Sequence, residues 1–438
     1  MASKELESLI LTSNNVFSDH DTEQNIAVRS TKGTDLASFN DYINPFGESL
    51  RFTGFETLAI RSGYSVSEHG EHCEAIYETS SYIYSSCEES YRKFSGVEEG
   101  NVYSRFTNPT VRTFETRLAL LESGEDALAA ASGMAAIMVT FLALLNAGDK
   151  VVCSANVFGS TRILLKNYFG KLGIEACFVD LCDYQCWEQN LSDPKTVLAF
   201  IESPANPTLE VANITQIAEM CEQYNCTFVV DNTVCTPCSQ KPILLGADLV
   251  IHSTSKYIDG HGRYIGGCIV GSKQLISKCR GLLRCGGPAM TAHNAWNFCK
   301  GLETLELRFQ KHSENAHRCA EWLDSHPRVK QVIYPGLESH PQHEVAKRQQ
   351  KYFGGIVSFI IRGGITEAWA CLDKVKVCSL TTNLGDTKTT ITHPATTTHV
   401  KLSPEERESI GIVDGLVRIS LGLERVEDII ADLDHCLA

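Results

Sequence analysis

No apolar run in this 438-residue chain is long enough to span a bilayer. The longest candidate, Ala135 to Leu145, reads better as a buried helix, so no membrane association is expected. Positive charge is also scarce. Lysine and arginine total 39 against 53 aspartate and glutamate, a net charge of −14. Such a surface repels phosphate backbones and makes nucleic acid a poor partner. Met1 to Glu7 lack a basic stretch followed by an apolar core, so no secretory leader is expected. Asp19, Asp21 and Glu23 make the start too acidic for a typical transit peptide. A cytoplasmic location is the resulting expectation. No G-x-G-x-x-G follows a strand, which argues against a dinucleotide-binding dehydrogenase. There is no internal repeat and no low-complexity tract.

Cysteine, by contrast, is abundant, with 18 residues. In the absence of a leader most should be free thiols in a reducing compartment. Cys153 and Cys268 sit in apolar strings, where a thiol behaves as a small hydrophobe. Cys235 and Cys238 have the spacing of a redox or zinc pair. No second close pair follows, so a structural role is expected and no metal site is assigned. His340 and His343 flank Pro341 in a loop and read as solvated or core histidines.

Residues 1–50 are polar and mixed and read as an N-terminal extension. Residues 51–107 are rich in Ser, Tyr and Gly and read as an arm with little core of its own. From there the text changes. Val111, Phe114, Leu118 and Leu121 recur at helical spacing. A second helix is expected from Ser132-Gly133-Met134 to Leu145, stopped by Asn146-Ala147-Gly148. Val151 to Cys153, Val197 to Ile201, Thr227 to Val230, Leu249 to Ile251 and Cys268 to Val270 read as buried strands, with a helix over Ile214 to Tyr224. This alternation predicts an α/β fold, a mostly parallel sheet covered by helices, over residues 108–303. Residues 304–438 read as a smaller C-terminal α+β domain. A long helix from Leu302 to Leu323 leads into it, strands follow at Ile356 to Ile361 and Val417 to Leu421, and a helix closes it at Val426 to Leu437.

Three segments carry chemistry. In His252-Ser253-Thr254-Ser255-Lys256-Tyr257, a lysine lies just past the carboxyl end of a buried strand, where open α/β sheets bind ligands. Its amine can condense with an aldehyde once burial or a nearby cation depresses its pKa. Ser253 and Ser255 are placed to donate to a phosphate. Alone, the segment reads more simply as a surface loop. Asp231 ends the apolar strand Val229-Val230, and a buried carboxylate can keep a pyridine nitrogen protonated. Alone, it reads as a turn aspartate. Ser132-Gly133-Met134 opens an apolar helix, whose free N–H groups and dipole favour a phosphate. Alone, it is a capped core helix. The order of the three is more informative than any one of them.

That order and spacing resemble the Cys/Met-metabolism family of pyridoxal-phosphate enzymes, over roughly Phe55 to the C-terminus. Further matching segments are Tyr103 to Thr110, Glu202 to Pro207, Thr392 to Ala395 and Arg418 to Glu424. Within the family the nearest look is to O-succinylhomoserine sulfhydrylases, through Arg284 to Met290, Asn294 to Asn297 and Asn383 to Asp386. The resemblance implies an aspartate-aminotransferase-like architecture, fold type I, with pyridoxal 5'-phosphate as cofactor. Lys256 would be the Schiff-base lysine and Asp231 the partner of the pyridine nitrogen. Gly133, Met134, Ser253 and Ser255 would cradle the phosphate. Asn206 would contact the ring hydroxyl. Arg418 would clamp the substrate carboxylate, for which a planar bidentate donor is suited, with Asn383 also on the substrate. Tyr103 and Arg105, on the arm, would reach the phosphate in the neighbouring subunit's site, and Tyr103 is also a candidate catalytic residue that could supply a proton there. The active unit would then be at least a dimer, and a tetramer of two such dimers by family habit. His393 and His399 would order a Thr-rich loop near the site.

One position departs from the family pattern. Phe158 stands where the family usually stacks a tyrosine on the cofactor ring, and Ser160 stands where its methionine γ-lyases carry a cysteine. Phenylalanine stacks but moves no proton. Expelling a thiolate benefits from a positioned acid, whereas a carboxylate leaves without one. The departure fits an acyl-homoserine substrate, and the likeness to the sulfhydrylases implies γ-replacement on O-succinylhomoserine or O-acetylhomoserine by sulfide, giving homocysteine. The nearer alternatives are a cystathionine γ-synthase or a methionine or cystathionine γ-lyase. The distant one is a non-catalytic relative.

Overall fold

The computed structural model describes residues 41–43, 49–51, 54–64 and 66–438. Most of the expected N-terminal extension lies outside them. Two short strands, β1 (Asp41–Ile43) and β2 (Ser49–Arg51), pair antiparallel ahead of the main fold.

A seven-stranded sheet forms the centre. Its strands are β3 (Asp126–Ala130), β4 (Lys150–Ser154), β5 (Glu175–Val179), β6 (Thr196–Glu202), β7 (Thr227–Asp231), β8 (Leu249–Ser253) and β9 (Gly267–Gly271), in spatial order β3-β9-β8-β7-β6-β4-β5. β5, β4, β6, β7 and β8 run parallel, and β9 runs antiparallel to both β8 and β3. The inner strands are apolar on both faces because helices cover both. On one face Leu198, Phe200, Val229, Leu249 and Ile251 pack with Ala136, Ile137 and Phe141 of helix α2 (Gly133–Leu144). On the other, Val250 and Cys268 pack with Phe114 and Leu118 of helix α1 (Pro109–Glu122).

A second sheet has five strands, β10 (Val329–Ile333), β11 (Ile356–Ile361), β12 (Ser379–Leu380), β13 (Thr390–Thr392) and β14 (Leu416–Ser420), in order β10-β11-β14-β13-β12. Its pairs are antiparallel except β12 with β13. Val357, Phe359, Val417 and Ile419 meet Leu433 and Leu437 of the final helix, Val426–Leu437. A mostly parallel α/β sheet with a smaller α+β sheet is the expected architecture.

The long helix expected from Leu302 to Leu323 is present but begins three residues later, at Leu305, after a break. Helix α3 (Ala292–Glu303) stops at Thr304, whose φ of −118° and ψ of 11° are not helical, and helix α4 (Leu305–Asp324) starts anew. The apolar spacing runs on through the break, so periodicity did not reveal it. Polar contacts accompany it: Arg308 turns back to donate to the carbonyls of Tyr257 at 2.7 Å and Gly301 at 2.7 Å.

All 18 cysteines are free thiols. Burial pushes Cys235 well up and Cys238 up to about 12, so neither is a ready thiolate. No group of side chains suited to a metal occurs among the described residues. Nor is any described helix long and apolar enough to cross a membrane.

Candidate active site

Side chains alternate along a strand, so each of three neighbouring strands delivers its last residue to the same face. β6 reads Leu198, Phe200, Glu202 on that face; β7 reads Val229, Asp231; β8 reads Leu249, Ile251, Ser253. The apolar members anchor the strands, and the polar ends line a cavity of about 110 Å³ at their carboxyl edge. Gly133, Met134, Phe158, Asn206, Thr233, Lys256, Thr382, Leu384, Thr398 and Arg418 complete its wall.

Lys256 lies in the turn after β8. Its amine donates to Asn383 Oδ1 at 3.1 Å. Burial, and then the charge of Arg418, lower its pKa to about 8. Asp231 is buried and accepts the Thr233 N–H at 3.0 Å. Burial pushes its carboxyl up, while the bonds from Thr233 and the field of His252 pull it back. Arg418, on β14, is buried at 1% exposure. One guanidinium nitrogen donates to Asn206 Oδ1 at 3.1 Å, and another to the carbonyls of Thr382 and Asn383, each at 2.9 Å. Its Nε has no partner among the described residues. The 382–385 segment can fold this close because Gly385 takes φ of 72°, where a Cβ would come within 2.7 Å of the Tyr257 nitrogen.

Ser132 caps α2 by accepting the Ala135 N–H at 3.0 Å, so the N–H groups of Gly133 and Met134 open the helix toward the cavity. Gly133 presses on Ser253, and a Cβ there would lie 2.8 Å from the Ser253 Cβ.

Not every expected residue lines this wall. Ser255 is engaged with Gly266, accepting its N–H at 3.0 Å. Tyr103 and Arg105 are outside the cavity of their own chain; Arg105 stacks on Phe106 at 4.7 Å and donates to the Arg284 carbonyl. Conversely, Glu202, Thr233, Thr382 and Thr398 line the wall without having been singled out. Glu202 carried the same signal as Asp231, an acid ending an apolar strand.

The cavity gathers two cations, Lys256 and Arg418, and two acids, Asp231 and Glu202, three of them buried and Lys256 half-buried, and none of them forms an ion pair among the described residues. Burying uncompensated charge is costly, so this donor set fits a ligand that carries both signs. A cationic ring N–H would match Asp231, a phosphate the α2 terminus with Ser253, a carboxylate Arg418 and an aldehyde Lys256. Fold and site thus match the aspartate-aminotransferase-like architecture of fold type I that the family resemblance implies, built around a half-buried lysine.

The comparisons with known proteins agree. The family model described as Cys/Met metabolism PLP-dependent enzyme matches residues 56–438. The O-succinylhomoserine sulfhydrylase of Pseudomonas aeruginosa is 49% identical over 389 residues, covering 89% of this chain and 96% of its own. An L-methionine gamma-lyase of Fusobacterium nucleatum is 42% identical, covering 88% and 98%. A solved structure of a putative O-acetylhomoserine (thiol)-lyase from Campylobacter jejuni, which carries a pyridoxyl-lysine phosphate, superposes with a TM-score of 0.85 at 33% identity, covering 88% of this chain and 100% of that one. The chain belongs to the Cys/Met-metabolism family of PLP-dependent enzymes, and its cofactor is pyridoxal 5'-phosphate.

Proposed function

We propose that the chain catalyses γ-replacement on O-succinylhomoserine or O-acetylhomoserine with sulfide, yielding homocysteine for methionine synthesis. The meeting of Lys256, Asp231 and Arg418 in one cavity carries the cofactor chemistry. Phe158 on the same wall carries the choice of leaving group. When bound, pyridoxal phosphate supplies an aldehyde and an electron-accepting ring.

The roles follow from the side chains. Lys256 Nζ, lowered to about 8, is the amine that engages the aldehyde. The same amine would take the substrate Cα proton and serve the Cβ proton as well. Asp231 keeps the ring nitrogen protonated. Gly133 and Met134 offer backbone N–H groups, and Ser253 a hydroxyl, to the phosphate. Arg418 binds the substrate carboxylate. Asn206 would contact the ring hydroxyl, and Asn383 accepts from the Lys256 amine. Phe158 stacks without offering a proton, which suits a carboxylate leaving group that needs none. Tyr103 and Arg105, outside their own chain's cavity, are assigned to the neighbouring subunit's phosphate, so the active unit is at least a dimer.

The relative at 49% identity is a sulfhydrylase and supports this reading; the γ-lyase at 42% supports elimination as the second one. Supplying both acyl-homoserines with sulfide or with cysteine, and identifying the product by mass spectrometry, separates them. Homocysteine as the main product is expected. Dominant cystathionine, or 2-oxobutanoate formed at the same rate without any nucleophile, would overturn the proposal.

A further inference from the structure

Glu202 accepts two backbone N–H groups from opposite sides. The Phe158 N–H reaches Oε2 at 2.9 Å, and the Asn206 N–H reaches Oε1 at 3.0 Å. Phe158 caps the short helix Gly159–Ile163 from outside, so its amide has no helical partner, and the residue is 37% exposed. Asn206 in turn holds Arg418. Glu202 itself is 6% exposed and directly opposite Asp231 in the β6–β7 register. Burial and the Asp231 carboxylate push its own carboxyl upward. Such a costly place for an acid calls for a reason. A carboxyl group offers acceptor oxygens on both sides, which an amide side chain cannot do.

We propose that Glu202 is a positioning residue that fixes Phe158 on one side of the cavity and Asn206 on the other, and that the Asn206–Arg418 bond passes this constraint to the carboxylate clamp. The chain of contacts runs Phe158, Glu202, Asn206, Arg418, and then Asn383 and Lys256. One buried acid thereby sets the spacing between the stacking ring and the clamp. The proposal rests on reading this cavity as the cofactor and substrate site.

Amide hydrogen exchange on the full-length protein, loaded with pyridoxal phosphate and stripped of it, is the direct test. In the unaltered protein the Phe158 amide should be protected in both forms. In Glu202→Gln an NH2 group faces one of the two backbone donors, and exchange at Phe158 or Asn206 should quicken about 10- to 100-fold, the value of one hydrogen bond to an acid. Protection in β4 and β8 should stay unchanged. KM for the acyl-homoserine should rise about 10-fold or more, with a smaller fall in kcat, because the clamp loosens before the proton chemistry fails. Glu202→Asp keeps both acceptors on a shorter stem and should recover part of the protection; it replaces the Gln variant if that one does not fold. A Phe158 amide that exchanges freely in the unaltered protein would overturn the proposal. So would a Gln variant with unchanged amides and KM, or one that loses protection evenly across the whole sheet. If stripped protein takes up no pyridoxal phosphate on Lys256, the reading of the cavity fails, while the exchange data still decide the role of Glu202.

Discussion

Lys256 changes charge within the range in which cells live. Its pKa near 8 has two causes, burial first and Arg418 second. In protein stripped of cofactor, the rate at which borohydride traps pyridoxal phosphate on Lys256 should rise about tenfold per pH unit below 8 and level off above it, because only the neutral amine attacks. Arg418→Met removes the second cause and should move that profile to higher pH. The sign for stability follows. A cation with a depressed folded pKa binds fewer protons folded than unfolded, so between about 8 and the ordinary 10.5 its contribution favours folding increasingly as pH rises. At Phe158 the expectation is chemical. On the proposed reading Phe158→Tyr would put a phenol beside the leaving group and should raise cleavage of cystathionine, assayed by thiol release; no gain would count against the leaving-group argument. Residues of this kind differed in how far the chain betrayed them. Lys256 was readable because it closely follows an apolar strand, in the turn after β8, and Asp231 because it ends one. Glu202 had the same mark but no chemistry to demand it until Phe158 and Asn206 were seen on its two oxygens. The contact of Arg418 with Asn206 joins residues 212 apart, and no spacing rule reaches that far.

The elements were easier to read than their joints. Leu249-Val250-Ile251 could only be a buried run, and α2 announced itself with Ser132 as cap. The break at Thr304 was invisible because it is accompanied by hydrogen bonds from Arg308 rather than by a glycine or proline. The start of α2 offers a clean test. Ser132→Ala removes the acceptor for the Ala135 N–H and should cost about 1 kcal/mol in urea unfolding. Gly133→Ala is expected to do more, because its Cβ would press within 2.8 Å of Ser253 and the helix must back away. A loss of about 1–3 kcal/mol is expected. Weaker uptake of pyridoxal phosphate, read by its absorbance, should accompany it, since the N–H groups retreat with the helix.

At the scale of the molecule, the site draws on distant parts of the chain. If Tyr103 and Arg105 serve a neighbour, two dead variants should rescue one another. Lys256→Ala lacks the reactive amine, and Arg105→Ala lacks the phosphate contact it would lend. Refolded together, they should recover activity that neither has alone, because a mixed dimer holds one site with both groups intact. No recovery over a range of mixing ratios would remove the neighbour from the site. The same dispersal governs what the enzyme can select. Arg418 rides on β14 and is tied to Asn206, just past β6, so the gap between clamp and lysine is also the gap between two sheets. If Arg418 holds the substrate carboxylate as proposed, that gap works as a caliper. A substrate with one more carbon between amine and carboxylate would be too long for both jaws at once. With Arg418 as the proposed carboxylate clamp, a preference for α- over β-amino acids would be a property of how the sheets sit together, and a change that swings β14, even from its far side, should blur that preference before it slows the chemistry.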